Sequence, residues 1–561
     1  MKRREENYAR VCSDWYAAGY LFFLTFEEIT RAAAARKAER SRIHLLAMRL
    51  ITPRRENIRA ILLCALYAFI LLFFLSPDSY IRDLYIRADS AWFFASGKAW
   101  MNGMIPYVDF ADSKGPLLWL IYGIGYLLSH HSYVGVFWVS IIFYTATLFF
   151  AYKLCRLYLD IRPAAVASAL LPLILFFSPY HFEIRAEDFC NSFLMLSLYA
   201  LCRVLRDWKT LDKRQYFLCA VAMGVTCAAC VMIKWNVGVA ILVPMFIALL
   251  YSFRVKHGML SICGMLSGFI VVCAPFVIYL LCVGAFDDFI REYFINTTQT
   301  KYVRGYNLSP FSILHYAFSI GKRTFFFLLL GLLLFLWKKG KVYWWLFLCF
   351  IVMWMIIMGC RPLYYYMSIA LPFSIFLIIV LVEMAFRKIR MATRFTPALC
   401  LVAACVSIGV NVFPVNESFD LHKDCRQSYY RANYVMAQIK QPKVLYYGLE
   451  RGIGTPAGSI PACKYWALQN GSTNDMLAER EKTLVSGVAD FVIVHESVNG
   501  DFSFVEPKHV EDAGYVLYET IGGGYHSYMF LVYGRPGLCL PPDSFYVSDW
   551  DVWLKRNIFG I

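Results

Sequence analysis

Long apolar segments separated by short polar connections fill the sequence up to about residue 413. A helix that spans a bilayer needs roughly 20 mostly apolar residues, and runs of this kind recur throughout this part of the chain. The pattern predicts about eleven transmembrane helices, near residues 58–76, 132–155, 162–180, 189–206, 215–233, 235–253, 258–283, 323–337, 342–359, 367–386 and 396–413.

The connections between these segments alternate in charge, and the alternation predicts their orientation. One set of connections is basic, and basic loops of membrane proteins face the cytoplasm. The other set is richer in aromatic or acidic residues, which favours the external side. This orientation leaves the basic N-terminal segment 1–57 in the cytoplasm. The predicted outer loops are 77–131, 181–188, 284–322 and 360–366.

One apolar stretch, from Gly115 to Leu128, does not fit the alternation. If it crossed the membrane, every later loop would change sides and the basic loops would face outwards. At 14 residues it is also short for a span. We therefore expect a helix that lies against the outer surface of the membrane.

The pattern changes again after residue 413, where spanning runs stop. Residues 414–561 indicate a small extracytoplasmic α/β domain that we expect to cover the external cavity or to help position an acceptor. The predicted fold class is thus an α-helical polytopic membrane protein with interfacial helices and this C-terminal domain. Within it we expect strands at 443–447, 490–494 and 514–518 and a helix at 475–488.

Composition and charge agree with a membrane protein. Of the 561 residues, 59% are hydrophobic and 17% charged, against about 25% charged in soluble domains. This excludes a disordered chain, a fibrous repeat and a secreted disulfide scaffold. The net charge is +16, but residues 414–561 hold 17 acidic and 13 basic residues, so they carry −4 and the rest carries +20. Cytoplasmic loops explain this excess, and no nucleic-acid partner is required.

Three further features are less informative. The sequence of residues 27–55 predicts a basic helix on the inner membrane surface and does not resemble a cleavable signal peptide. Met48 is an alternative first residue of the protein. Most of the 18 cysteines lie in predicted spans, where cysteine behaves as a small apolar residue, and the tail has at most one internal disulfide. The chain has no Walker loop, dinucleotide fingerprint or zinc helix.

Charged residues collect on the predicted outer side. Polar groups close to apolar spans are costly, so such a cluster indicates function. Carboxylates there suit a general base or a divalent ion, and a lysine suits a phosphate. The first outer loop holds Asp89, Asp109, Asp112 and Lys114, and the second holds Glu183, Arg185, Glu187 and Asp188.

The order of these residues resembles polyprenyl-phosphate-dependent glycosyltransferases of the GT-C fold, which include the lipid A aminoarabinose transferases and relatives of the protein O-mannosyltransferases. The resemblance covers roughly residues 58–413. It departs from the family at Ser90, where many members have Glu, and at Gly115, where the usual motif is Lys-Pro-Pro. The matching motifs are Asp89 to Leu118 with Pro106-Tyr107, Arg185-Ala-Glu187-Asp188, the region around Lys234, GAFDDFIREYFINT and CRPLYYYMSIALP.

The resemblance implies transfer of a hexosyl or pentosyl group from a polyprenyl-phosphate carrier to a glycan, lipid or protein acceptor at the external face, with inversion. Asp89 would be the general base. Glu187 or Asp188 would orient the acceptor, or hold a divalent cation in members that use one, and no cofactor is certain. The substrate and its lipid phosphate would be bound by Lys114, Lys234, Arg361, Tyr365 and Tyr107.

Each assignment has a structural alternative. Asp89 is suited to capping the helix near Ala91, Lys114 to lying at the membrane interface, and Glu187 or Asp188 to capping a helix. The tyrosines 364–366 are typical of an aromatic belt. A transporter or flippase of lipid-linked sugars, or an oligosaccharide ligase or polymerase, remains an alternative function, although internal repeats typical of transporters are not evident. The expected location is a cell membrane, in bacteria the inner one.

Overall fold

The structure of the protein is a computed structural model. It describes residues 55–76, 78–79, 88–173, 184–299, 311, 315, 322–358, 364–388, 396–406, 409, 425–467, 473–497, 505–522 and 528–546. Nearly all of the predicted segment 1–57 and the predicted boundary at 413 lie outside these residues, so the domain limits stay predictions.

Each of the eleven predicted apolar segments contains a helix in its described part. The helices are α1 (Arg55–Leu75), α2 (Ala88–Met101), α3 (Pro116–Leu128), α4 (Val134–Cys155), α5 (Ile161–Leu170), α6 (Ala186–Asp207), α7 (Lys213–Ile233), α8 (Trp235–Arg254), α9 (Gly258–Cys282), α10 (Phe286–Phe289), α11 (Asn296–Gln299), α12 (Lys322–Lys339), α13 (Trp344–Met358), α14 (Ser374–Lys388) and α15 (Thr396–Val406). A π-helical segment, Ile290–Ile295, joins α10 to α11, and shorter 3-10 segments are Lys341–Tyr343, Tyr364–Ile369 and Leu371–Phe373.

Six of the described helices are long and apolar enough to cross a membrane: α1, α4, α6, α7, α8 and α9. The chain is therefore a multi-pass membrane protein. Helix α3 has 13 residues, in agreement with the short non-spanning helix expected there. The total number of spans and the orientation of the chain stay predictions.

Small residues allow α7 and α9 to approach each other closely. A side-chain carbon at Gly224 of α7 would lie 2.0 Å from the carbonyl oxygen of Met265, and one at Gly268 of α9 would lie 2.3 Å from that of Val221. Small residues at helix contacts are typical of membrane proteins, because dispersion contacts between backbones replace the hydrophobic effect there. This packing joins the middle of α7, the helix that ends directly before Lys234, to α9.

A five-stranded sheet forms the centre of the C-terminal domain. Its strands lie in the order β2-β1-β3-β5-β4, with β1 parallel to β2 and β3, and with β5 antiparallel to β3 and β4. The strands are β1 (Lys443–Tyr447), β2 (Ile460–Pro461), β3 (Phe491–Ser497), β4 (Val516–Gly522) and β5 (Tyr528–Gly534), and the helices are α16 (Arg426–Met436), α17 (Asn474–Val485) and α18 (Pro507–Asp512).

The predicted elements of this domain are present, and two strands were missed. The structure has β1, β3, β4 and α17 at or within a few residues of the predicted positions. Strand β5 was missed because YMFLVYG is apolar throughout, and a short apolar run without alternation is ambiguous from sequence. All three described tail cysteines, Cys425, Cys463 and Cys539, are free thiols.

Candidate active site

The N-terminal end of α2 carries Asp89 and begins a line of aromatic contacts. Asp89 lies in the first turn of α2 and is half-buried. A carboxylate is favourable there because the helix dipole leaves partial positive charge at the N-terminus. Phe93 follows four residues later, so it lies on the same face of the helix. The centroid of its ring is 5.6 Å from that of Tyr122 in α3.

The Tyr122 hydroxyl joins α3 to the segment that precedes α6. Tyr122 is fully buried and donates a hydrogen bond to the carbonyl oxygen of Ile184. Burial raises the pKa of its phenol well above the ordinary value, and the negative charges of Asp78, Asp188 and Asp89 raise it further. The first and second predicted outer loops therefore meet at this tyrosine.

The backbone at Ile184 is held in an unusual conformation. Its φ is 50°, in the left-handed region that a β-branched residue rarely adopts. Its carbonyl accepts hydrogen bonds from Tyr122 and, at 3.4 Å, from the Ser90 hydroxyl. Ser90 is one of the two departures from the family pattern, and here it joins the start of α2 to the segment that precedes α6.

Lys114 lies over the Phe93 ring and belongs to the loop 107–115, which we call the lysine loop. Its Nζ lies 5.6 Å from the centroid of the Phe93 ring and 4.0 Å from Asp112 Oδ2. The Lys114 side chain is 22% exposed, so it is only partly buried. The buried Tyr107 hydroxyl donates to the Lys114 carbonyl oxygen at 2.8 Å, and Tyr107 thereby shapes the loop from within.

Gly115 fits the lysine loop against the end of α7. Its amide donates to the Ile233 carbonyl oxygen at 3.1 Å, one residue before Lys234. A side-chain carbon at this position would lie 2.0 Å from the Met232 carbonyl oxygen, so only glycine allows this approach. The second departure from the family motif thus has a packing reason.

Glu187 and Lys234 form a buried ion pair. Lys234 Nζ donates to Glu187 Oε1, and both side chains are buried. The same Nζ lies 3.7 Å from the centroid of the Tyr366 ring, a cation–π arrangement. Lys234 sits at the junction of α7 and α8. These two predicted site residues therefore neutralise each other.

Asp188 has a structural role at the start of α6. Its Oδ2 accepts a hydrogen bond from the Arg185 amide at 2.9 Å, which satisfies a backbone donor at the helix N-terminus. The capping alternative is thus realised for Asp188, and its charge also reaches Tyr122.

A comparison with known protein families matches the same part of the chain. The family model described as dolichyl-phosphate-mannose-protein mannosyltransferase matches residues 113–280. This range includes Lys114, Glu187, Asp188 and Lys234 but not Asp89. No curated protein matches the sequence.

Two solved structures share the chain's arrangement over most of their length. ArnT from Cupriavidus metallidurans, a GT-C fold glycosyltransferase, matches in the apo state with a TM-score of 0.56 and 11% identity, over 85% of this chain and 97% of that one. The same protein bound to undecaprenyl phosphate matches with a TM-score of 0.54 and 12% identity, over 85% and 97%. The chain has the GT-C fold. The fold expected from the sequence motifs is thereby confirmed.

Some of the predicted GT-C site residues cannot be located. Arg361 lies outside the described residues, and Tyr365 lies in the 3-10 segment Tyr364–Ile369 with its side chain outside the description. Within the described parts of the chain, no three His, Cys, Asp or Glu side chains lie close enough together to hold a metal ion.

Residues of the C-terminal domain that the sequence did not indicate contact the acidic segment after α9. Lys464 Nζ lies 3.1 Å from Asp288 Oδ1 and 3.0 Å from Glu292 Oε1. The Tyr465 hydroxyl donates to Glu292 Oε1 at 2.7 Å. Asp288 and Glu292 belong to the motif GAFDDFIREYFINT, so the sequence indicated them. Lys464 and Tyr465 belong to no motif, and only the tertiary structure brings them to these two acids.

Proposed function

We propose that the chain is an integral-membrane glycosyltransferase that moves a sugar from a polyprenyl-phosphate carrier to an acceptor at the external face of the membrane. The observation that carries the proposal is the position of Phe93, which lies one helical turn after Asp89 on α2 and has the Lys114 ammonium 5.6 Å from its ring centroid. A base and a cation for the phosphate are the two groups that this reaction requires. The GT-C fold and the family match over 113–280 support it.

In the proposed reaction, Asp89 accepts the proton of an acceptor hydroxyl or amine. The acceptor lone pair attacks the anomeric carbon on the face opposite the phosphate. The bond between that carbon and the phosphate oxygen breaks, and its electron pair leaves with the polyprenyl phosphate. The configuration at the anomeric carbon is therefore inverted.

Lys114 is proposed to bind the phosphate of the donor and of the departing lipid. A lysine ammonium is a compact charge suited to phosphate, and the polar contacts of Lys114 Nζ are long, 3.5 Å to Ser113 Oγ and 4.0 Å to Asp112 Oδ2. Lys234, by contrast, is committed to Glu187. The structural relative bound to undecaprenyl phosphate supports a polyprenyl phosphate as the carrier.

Glu187 and Lys234 are proposed to position the lysine loop. Their pair ties the start of α6 to the α7–α8 junction, and the hydrogen bond from Gly115 to Ile233 ties the lysine loop to the same junction. The sugar is a hexosyl or pentosyl group, and the acceptor is a glycan, lipid or protein. In the proposed orientation, the N-terminus is cytoplasmic and the C-terminal domain external, in a bacterial inner membrane.

The first prediction concerns the two groups that carry the chemistry. Transfer from an undecaprenyl-phosphate monosaccharide is measured with the full-length protein in detergent. Asp89→Asn keeps the size of the side chain but removes the base, and we expect kcat to fall by about 10²-fold or more. Lys114→Ala is expected to raise KM for the donor and to lower kcat/KM by roughly tenfold or more, because a cation on the phosphate is lost.

Asp543→Asn and Lys213→Ala are the matched controls, since both side chains are exposed and lie outside the site. Wild-type transfer by Asp89→Asn and Lys114→Ala would contradict the mechanism. A wild-type protein that transfers no polyprenyl-phosphate sugar, but moves a lipid-linked sugar across a vesicle membrane, would favour the transporter alternative.

A further inference from the structure

We infer that Lys464 and Tyr465 of the C-terminal domain are positioning residues for the lysine loop and hold Lys114 in place for the donor phosphate. The inference rests on the proposed function, in which Lys114 binds that phosphate. It assigns the C-terminal domain a part in binding the carrier, beyond covering the cavity.

The first contact between the C-terminal domain and the lysine loop is made by the backbone. The amide of Ala111 donates to the Lys464 carbonyl oxygen at 3.0 Å, and Ala111 is buried. Ala111 precedes Lys114 by three residues, so the outer side of the loop is attached to the C-terminal domain.

The second contact runs through the acidic segment that follows α9. Lys464 Nζ bridges Asp288 and Glu292, and Tyr465 donates to Glu292. Glu292 is buried and lies in the π-helical segment Ile290–Ile295, a widened turn of the kind that often occurs at functional sites. The Lys464 ammonium therefore fixes a segment whose geometry departs from an ordinary helix.

This segment contacts the lysine loop through aromatic packing. The ring of Phe289 lies 5.1 Å from that of Tyr107, centroid to centroid. The Tyr107 hydroxyl in turn donates to the Lys114 carbonyl oxygen. Lys464 thus acts on the loop from two sides, directly at Ala111 and through Phe289 and Tyr107.

The next residue of the same strip reaches the helix of the base. The Trp466 ring lies 5.5 Å from that of Trp92, centroid to centroid, and Trp92 stands between Asp89 and Phe93 on α2. Three consecutive residues of the C-terminal domain therefore contact the lysine loop, the acidic segment and α2. No other element of the described chain is needed to join these three parts.

Loss of the Lys464 ammonium has a direct physical consequence. The buried Glu292 would keep the hydrogen bonds from Tyr465 and Asn296 but lose its counter-ion, with the partly exposed Asp288 beside it, and a buried charge without a counter-ion is unfavourable. The segment would shift, and Phe289 would no longer support Tyr107. The ammonium of Lys114 would then sample a wider range of positions.

The test measures binding of undecaprenyl phosphate to the full-length protein in detergent, together with hydrogen exchange of the lysine loop. Lys464→Met removes the ammonium, Tyr465→Phe removes one hydrogen bond, and Lys464→Arg keeps the charge. Lys482→Met is the control, because Lys482 is an exposed lysine of the same domain. Each substitution is also made in a Lys114→Ala background.

We expect Lys464→Met to weaken undecaprenyl phosphate binding roughly tenfold, the effect of about 1.4 kcal/mol, and Tyr465→Phe to weaken it less. Lys464→Arg and Lys482→Met should bind as the wild type does. In the Lys114→Ala background Lys464→Met should have no further effect, because the lost contact acts through Lys114. The KM for the donor should rise more than kcat falls.

Hydrogen exchange separates this inference from the proposed function. The Ala111 amide should exchange faster in Lys464→Met than in the Lys482→Met control. The inference would be overturned if the Ala111 amide exchanged at the same rate in Lys464→Met as in the control, or if Lys464→Met bound undecaprenyl phosphate as the wild type does. It would also be overturned if Lys464→Met weakened binding by the same factor in the Lys114→Ala background. If the wild type neither binds undecaprenyl phosphate nor transfers sugar, the proposed function fails, and faster exchange at Ala111 would still support the positioning contact.

Discussion

At the scale of single residues, Glu187 and Lys234 depend on each other. Both side chains are buried, so water stabilises neither charge, and Lys234 has the Tyr366 ring as its other neighbour. Removing one partner leaves an uncompensated buried charge, whereas removing both leaves none. The pair therefore stabilises the junction of α6, α7 and α8 as a unit.

We predict that Glu187→Gln and Lys234→Met each lower the free energy of unfolding by about 3–5 kcal/mol. The double variant should lose clearly less than the sum of the two, because the effects of residues in contact are not additive. Chemical unfolding in detergent measures the cycle. The partly exposed pair Arg431–Glu519 is the control, and removing either of its side chains should lower the free energy of unfolding by about 0–1 kcal/mol. Additive losses of stability at Glu187 and Lys234 would contradict the interpretation.

At the scale of elements, the start of α6 depends on Asp188. Its side chain accepts the Arg185 amide, so Asp188→Ala should lower the free energy of unfolding by about 1 kcal/mol, as for other caps. Asp188→Asn keeps an acceptor oxygen and should keep stability and transfer close to those of the wild type. An asparagine variant that is fully stable but loses transfer a hundredfold would instead assign the charge of Asp188 to the chemistry.

The elements themselves were largely predictable, because each is defined by a local pattern. An apolar run of sufficient length partitions into a membrane as a helix whatever its neighbours are. The structure accordingly has a helix in the described part of every predicted apolar segment. Strand β5 was missed because it lies between β3 and β4, where burial on both faces removes the alternation that marks a strand.

At the scale of the whole molecule, a buried lysine and a buried glutamate lie between α2 and the C-terminal domain. Lys98 is 1% exposed and Glu450 is 2% exposed. Burial lowers the pKa of Lys98 to about 8, and the charge of Glu450 opposes this shift. Burial raises the pKa of Glu450 to about 7, opposed first by hydrogen bonds from the Gly452 amide and then by other groups, including Lys98.

The two shifts predict a specific dependence of stability on pH. The unfavourable contribution of Glu450 is absent below its ordinary pKa of 4.5 and complete above about 7. That of Lys98 is complete below about 8 and disappears as the pH rises to its ordinary pKa of 10.5. Both contributions are therefore complete only between about pH 7 and 8.

We predict that the double variant Lys98→Met/Glu450→Gln is more stable than the wild type by about 1–4 kcal/mol in this window, as replacement of buried charge pairs often is. The gain should shrink toward pH 4.5 and toward pH 10.5. Unfolding of the full-length protein in detergent across this range measures it. Lys98→Met alone should be less stable than the double variant. If the extra stability of the double variant does not vary with pH, the two groups do not titrate as described.

The sequence by itself determined the membrane part and a short helix within Gly115 to Leu128, and it proposed Asp89, Lys114, Glu187, Asp188 and Lys234 as candidates, because hydrophobic runs and motif order are local properties. Only the tertiary structure decided how these residues combine. It pairs Glu187 with Lys234, 47 positions apart, and uses Asp188 as a cap. It also brings Lys464 to Asp288, 176 positions away. Such contacts depend on how helices pack and how the C-terminal domain docks, and no local pattern specifies which distant charge a side chain will meet.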